Sequence, residues 1–518
     1  MNGADLLCDT LLAHDVDVCF ANPGTSEMHF VAALDAKPRM RCVLGLFEGV
    51  VTAAADGYAR MADKPAATLL HTGPGLANSL ANMHNARRAK TPMINVVGDH
   101  ASYHLQHDAP LTSDIESLAK PMSNWVRRII NAETIDEDAA AAWRAAVSLP
   151  GVTTLILPGD MAWGAVTPRS IKRSERPKPP GIDEKTVKAA AAALRSGKRV
   201  ALLLGGRALR VEPLSVADAI AQTANARVMA PTSNARAERG RGRVAYERVP
   251  YVVDVAVEAL KDVDVMIMVG ATVPVAFFAY PGKPGRVVRN DCELITLAAA
   301  GQDLTAALEW LADEVGAPRK VQLRPAPDAE ALTAAVPSGP LTADAIARVV
   351  MQRVPENAIL CDEAVTSGAF HNYAHLAAPH DMLALTGGSI GIGLPLATGA
   401  AVACPDRKVI GLQADGSGMY TVQALWTQAR EQLDVISIIY SNRAYAILQG
   451  EMRNVGVKEF GRNAERMLGF DDPALDWVSI AKGMGVEGVR VTTTDELATV
   501  FEAALKRRGP FLIEAVMP

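Results

Sequence analysis

Short, mainly apolar runs recur along this chain, each closed by a turn and followed by a segment with helical spacing. They fall at 16–20, 42–47, 66–70 and 93–97, at 200–204, 263–269 and 286–290, and at 358–361, 409–412 and 435–440. Runs without polar alternation belong to strands buried on both faces, which is the signature of parallel sheets covered by helices. Strand and helix alternate throughout, so the fold class is α/β. Two proline-rich charged stretches, 169–180 (RSIKRSERPKPP) and 318–340, interrupt the alternation and read as linkers. The pattern predicts three doubly wound parallel-sheet domains at 1–168, 181–317 and 341–518, the last opening with a helix capped by Thr342.

Composition narrows the class. The 518 residues are 49% hydrophobic and 21% charged, ordinary for a globular protein with large buried cores. A net charge of −5 without a basic stripe gives no electrostatic reason for a nucleic-acid or anionic-membrane partner. The six cysteines (Cys8, Cys19, Cys42, Cys292, Cys361, Cys404) form no CxxC pair and read as buried thiols in a reducing compartment. The N-terminus shows no basic stretch followed by a signal-type apolar core, and no long uncharged apolar run suggests a membrane span. The default localisation is cytoplasmic.

Candidate chemistry sits at the predicted strand ends, where open α/β sheets bind ligands. The run 409–412 ends at Ala414-Asp415-Gly416-Ser417, and the run 435–440 delivers Asn442 one strand–helix–strand unit later. Asp415, the Asn442 amide oxygen and the backbone carbonyl of Ala444 make an all-oxygen set that suits Mg²⁺. The helix start at Gly416 and Ser417 favours a diphosphate. A strand-end Asp and a turn Asn without any ligand is the plainer alternative. Upstream, 358–361 leads into Thr366 and Ser367, whose hydroxyls could reach a phosphate, and TGGSIGIG carries Gly388, Ser389 and Ile390.

In the first domain, Thr25 and Ser26 follow an Asn-Pro-Gly turn and could contact substrate or simply cap a helix. Glu48 stands between an apolar strand and a helix of small residues, where a carboxylate is costly unless hydrogen-bonded. Its alternative role is a helix-start residue favoured by the dipole. His71 precedes Thr72-Gly73-Pro74-Gly75, and Asn78 begins a helix rich in Asn and Ala. His100, His104 and His107 fall within eight positions, where a metal is conceivable but is not the expected reading. The polar stretch 451–470 could form a lid.

As a set these motifs resemble the thiamine diphosphate (ThDP) enzymes. The matching features are the NPG turn, a Glu opening an ADGYAR helix, GPG-x-x-N, the glycine-rich TGGSIGIG, and an Asp-Gly followed by a distant Asn. Ala414 replaces the usual first glycine of the last motif but leaves both metal-ligand side chains in place. Within the superfamily, acetolactate synthase and benzoylformate decarboxylase are most similar. The GPG turn is synthase-like, whereas His71 resembles the decarboxylase's catalytic histidine. At 274–280 (PVAFFAY) the chain departs from the decarboxylase, with Phe277 and Phe278 where a second histidine is expected. The fuller Arg- and Asp-rich FAD pattern of the flavin-dependent synthases is missing from 181–317, so FAD is not expected.

The resemblance implies a 2-oxo-acid decarboxylase or carboligase using ThDP and Mg²⁺, acetolactate synthase-like or, alternatively, an aryl 2-oxo-acid decarboxylase. Decarboxylation would leave an enamine that is protonated or ligated to a second carbonyl. Glu48 would bond the aminopyrimidine ring, and Gly388 would receive its amine. Ile390 would bend the cofactor, while Gly73, Asn78, Thr366, Ser367, Ser389, Gly416 and Ser417 complete its contacts. Asp415, Asn442 and Ala444 would hold the metal. His71, Thr25 and His107 are candidates for proton transfer and substrate contact. The family pairs the pyrimidine domain of one subunit with the diphosphate domain of another, which implies at least a homodimer and a homotetramer as the expected assembly. A silent ThDP-fold regulatory subunit and a nicotinamide or flavin oxidoreductase are the readings from other classes.

Overall fold

The computed structural model describes residues 1–148, 151–319, 321–324 and 330–518. Three sheets carry the chain. The first runs Arg41–Leu44, Val18–Asn22, Ala66–Leu70, Met93–Asp99, Val152–Pro158, Trp125–Arg128, every neighbour parallel. The second runs Glu247–Arg248, Arg227–Ala230, Val200–Leu204, Val265–Val269, Glu293–Ala298, again all parallel. The third runs Glu487–Val491, Phe511–Val516, Val435–Ser441, Val409–Ala414, Ala358–Glu363, His380–Ala384, Ala237–Arg239. Its central strands are buried along their length because helices cover both faces.

The third sheet breaks the simple three-unit pattern. Ala237–Arg239 comes from the middle of the chain, yet it pairs antiparallel with His380–Ala384 at that sheet's edge. Nothing in so short a segment announces which sheet it joins.

Local readings shift in several places. The apolar pair Val287 and Val288 is buried outside any strand, and the strand expected at 286–290 is reduced to an isolated bridge of Arg286 to Val275, the sheet taking Glu293–Ala298 instead. The strand expected at 42–47 stops at Leu44, and Leu46 turns into solvent at 46% exposure. Cys42 lies on this edge strand and is exposed, and Cys404 is half-buried, so only Cys8, Cys19, Cys292 and Cys361 are the buried thiols anticipated. The helix expected to begin at Asn78 begins at Thr72. Thr342 caps the helix Ala343–Arg353. The stretch 451–470 is less irregular than it reads, holding the end of the helix Ala446–Asn454 and the helix Arg462–Leu468. The described residues of 169–180 form neither helix nor strand, and the linker expected at 318–340 falls partly outside the described residues. No helix among the described residues is long and apolar enough to cross a membrane.

Two helices join the first and third sheets. Glu48–Ala62 and Gly393–Ala403 pack so closely that Gly57 lies on the Leu396 carbonyl and Gly399 on the Ala54 carbonyl, with no room for a methyl at either position. One apolar cluster therefore runs from Phe20 and Val51 through Ala54, Leu396 and Ala397 to Val409 and Val435. Replacing Gly399 by Val should force the helices apart and lower unfolding free energy by about 2–3 kcal/mol, the usual cost of overpacking. An unchanged urea midpoint for this variant would show that the contact is looser than described.

Candidate active site

In the first sheet, the turn after Val18–Asn22 carries a short helical turn, Thr25–Glu27. Glu27 is 2% exposed, which demands partners. It accepts hydrogen bonds from the Gly24 amide (2.7 Å) and from the Ser26 hydroxyl. Its carboxylate also lies 2.9 Å from Nδ1 of His71, and Ser26 Oγ stands 3.3 Å from the same nitrogen. With Nδ1 engaged, Nε2 is left as the nitrogen able to exchange a proton. Ser26 rather than Thr25 makes this contact, and Thr25 is exposed. His107 ends the turn Ser102–His107, its ring 5.3 Å from that of His104 and tilted against it, and is exposed, with no hydrogen bond to His71 among the described residues.

Glu48 opens its helix half-buried. Its Oε2 accepts from Asn78 Nδ2 at 3.0 Å, and Gly75 packs against its other oxygen. The helix Thr72–Ala89 presents a row of amides on one face. Asn78 meets Glu48, Asn82 donates to the Gly49 carbonyl (2.9 Å), and Asn85 donates to the Ser389 carbonyl (2.7 Å). This row ties Glu48 to the glycine-rich loop of the third sheet. Gly73 faces Ser113 instead of Glu48, and the buried hydroxyls of Thr72, Thr112 and Ser113 have no protein partner among the described residues.

In the third sheet, Asp415 begins a helical turn after Val409–Ala414 and is 2% exposed. Its carboxylate accepts from the Gly416 amide (2.8 Å) and the Arg443 amide (2.7 Å). Burial nevertheless pushes its carboxyl up to about 6. Asn442 Oδ1 accepts from the Ala444 amide at 3.1 Å. Tyr445 and Phe470, 5.0 Å apart, close over Gly416. The segment beyond returns to this loop through Tyr445 N to Leu468 O (2.8 Å) and Phe470 N to Arg443 O (3.0 Å). Thr366 is exposed, Ser367 buried and Ile390 half-buried; Gly388 has φ +78° and lies against the Phe277 ring.

The residues present fit a metal-bound diphosphate. Asp415 is a buried carboxylate with only amide partners, and with Asn442 and the neighbouring carbonyls it gives a hard-oxygen donor set. No three His, Cys, Asp or Glu side chains converge as a metal site among the described residues.

Two family models cover the two cofactor halves: "Thiamine pyrophosphate enzyme, N-terminal TPP binding domain" over residues 1–118, and the corresponding C-terminal TPP binding domain over 365–515. The chain is also 50% identical, over 100% of its length and 99% of the relative, to "Putative acetolactate synthase large subunit IlvX" of Mycobacterium tuberculosis. The chain belongs to the thiamine pyrophosphate enzymes. It is 27% identical to benzoylformate decarboxylase of Pseudomonas aeruginosa, covering 98% of this chain and 97% of that one. A solved structure, the thiamine diphosphate-dependent 4-hydroxybenzoylformate decarboxylase of Rhodococcus jostii RHA1, superposes with a TM-score of 0.87. It is 26% identical and covers 100% of this chain and 99% of its own.

In this thiamine pyrophosphate enzyme, sequence reasoning passed over Glu27, Asn85, Glu363 and Gln413. Glu27 could have been found by the argument applied to Glu48, a carboxylate at a strand-end turn. Asn85 was legible as one of three amides at helical spacing. Backbone strain marks the same loops. Thr72 (φ +49°), Val365 (φ +49°) and Arg443 (φ +56°) are non-glycine residues in the left-handed region, each beside a candidate site residue. Val365 is 39% exposed and loses little packing if truncated. Val365→Gly should therefore leave stability unchanged or raise it by up to about 1 kcal/mol. A clear loss in chemical denaturation would mean that no strain is stored there.

Proposed function

We propose that this enzyme is a ThDP- and Mg²⁺-dependent 2-oxo-acid decarboxylase or carboligase of the acetolactate synthase-like kind. The observation that carries the reading is the buried Asp415 carboxylate beside the Asn442 loop, at the ends of two neighbouring parallel strands. A regulatory copy without activity would have no need to keep that site together with Glu48 and a carboxylate-bound His71. When bound, ThDP supplies a thiazolium carbon nucleophile and an electron sink for loss of carbon dioxide. Asp415, Asn442 and the Ala444 carbonyl would hold Mg²⁺ and, through it, the diphosphate, with Thr366, Ser367, Gly416 and Ser417 beside it. Glu48, oriented by Asn78, would share a proton with the pyrimidine ring. Gly388 would accept from the ring's amine, and Ile390 would press the cofactor into its bent shape. His71, oriented by Glu27 and Ser26, would exchange a proton with the substrate through Nε2.

A second reading, an aryl 2-oxo-acid decarboxylase, is favoured by the aromatic cluster beside Gly388. Phe277 stands 4.9 Å from Phe278 and 5.6 Å from Tyr251. Phe277 and Phe278 are both more than half exposed. A homodimer or larger assembly is supported by Leu46 and Tyr420. These large side chains lie close to Glu48 and Gly391 and are left in solvent by the single chain.

Proton NMR of the enzyme with ThDP, Mg²⁺ and pyruvate should show acetolactate or acetoin. Benzaldehyde from benzoylformate with pyruvate untouched would select the aryl reading, and silence on both would count against 2-oxo-acid chemistry of either kind. Glu48→Gln should fold normally and lose about 10²–10⁴-fold in turnover; near-normal rates would remove Glu48 from the mechanism. Asp415→Ala should abolish Mg²⁺-dependent ThDP binding in calorimetry, and an unchanged affinity would refute the metal assignment.

A further inference from the structure

Glu363 is a buried carboxylate outside the set assigned above. It ends the strand Ala358–Glu363 at 1% exposure, facing the start of the helix Gly393–Ala403. One oxygen accepts from the amides of Gly391 (2.6 Å) and Ile392 (3.3 Å). The other accepts from the Gly393 amide (2.8 Å) and from Gln413 Nε2 (3.0 Å). Gln413 Nε2 also donates to Ser417 Oγ at 2.6 Å, and that hydroxyl donates to the Ala414 carbonyl at 3.2 Å.

The helix receives no side-chain cap from Ile392, so a carboxylate from a neighbouring strand serves its first amides. Ile390 immediately precedes the amides that Glu363 binds, and Gln413 and Ser417 bracket Asp415. We infer that Glu363 is a positioning residue, locking the loop that carries Ile390 to the turn that carries Asp415 so that the two hold one fixed separation. This rests on the cofactor reading above, and it adds a residue that touches neither cofactor nor metal.

The donor geometry explains why glutamate is needed. Four donors converge on two oxygens, and charge-assisted bonds of this kind are about twice as strong as neutral ones. Burial still pushes the carboxyl up, to about 7 net of those donors. A glutamine has the same shape but turns one oxygen into an NH₂. That group must then face either the Gly391 and Ile392 amides or the Gly393 amide and Gln413, donor against donor. The strain falls on the Ile390 loop or on the link to Asp415.

The test compares wild type, Glu363→Gln and Gln413→Met by ThDP calorimetry in Mg²⁺ and by near-UV circular dichroism of the bound cofactor, which reports its conformation. Glu363→Gln should raise the ThDP dissociation constant by about tenfold or more and weaken the cofactor's dichroic band. Gln413→Met keeps Glu363 on the helix but cuts the link to Ser417, and should change the band in the same sense with a smaller loss of affinity. If Glu363→Gln does not fold, Gln413→Met decides alone. Binding within about twofold of wild type with an unchanged band, even if the melting temperature falls, would reduce Glu363 to a structural cap and overturn the inference. A wild type that takes up no ThDP would overturn the functional reading itself.

Discussion

The close pairing of the helices Glu48–Ala62 and Gly393–Ala403 is the constraint on which the rest of the site depends. Their backbones touch at Gly57 and Gly399, so the two helices have essentially one way to cross. Glu48 opens one of them, and Ile390 lies just before the start of the other. Any change in crossing angle would move the proposed pyrimidine partner and the proposed bending residue together with their sheets. Further along the first helix, the buried Arg60–Asp56 pair (2.6 Å) extends the same lock. Arg60 donates to the Ala384 carbonyl (2.7 Å), the Ala235 carbonyl (3.1 Å) and the Thr386 hydroxyl (3.3 Å). One guanidinium thus joins the first helix, the middle of the chain and the root of the glycine-rich loop. A buried arginine of this kind costs desolvation, and it is tolerated because each face of its fork finds an acceptor.

Buried carboxylates repeat that logic at the strand ends. Glu27, Glu363 and Asp415 are each no more than 2% exposed. Glu363 and Asp415 gather donors drawn largely from loop backbone, whereas Glu27 joins one loop amide to the Ser26 hydroxyl and the His71 ring. Such a carboxylate organises a loop by gathering its amides, which regular secondary structure would otherwise leave unpaired. It makes the turn rigid without filling it, leaving a polar rim at the carboxyl ends of the strands where a ligand can sit. Left-handed Thr72, Val365 and Arg443 belong to the same loops. The surrounding bonds hold the backbone in conformations it would not choose alone.

By itself the sequence determined the layered α/β class, because mainly apolar runs recurring between helical segments are what strands buried on both faces of a parallel sheet require. It also placed His71, Asp415 and Asn442 at strand ends and Glu48 at a helix start, since such boundaries are encoded locally by the residues that make them. Tertiary structure alone decided which loops meet. No local pattern tells Ala237–Arg239 to pair with His380–Ala384, Asn85 to reach Ser389, or Glu363 to cap a helix that begins thirty residues later. Nor does local hydrophobicity separate Val287 and Val288, buried outside any strand, from a true strand. Apolar periodicity records how much of a segment leaves water, whereas the partner of each buried polar group is set by long-range packing that brings distant segments into contact.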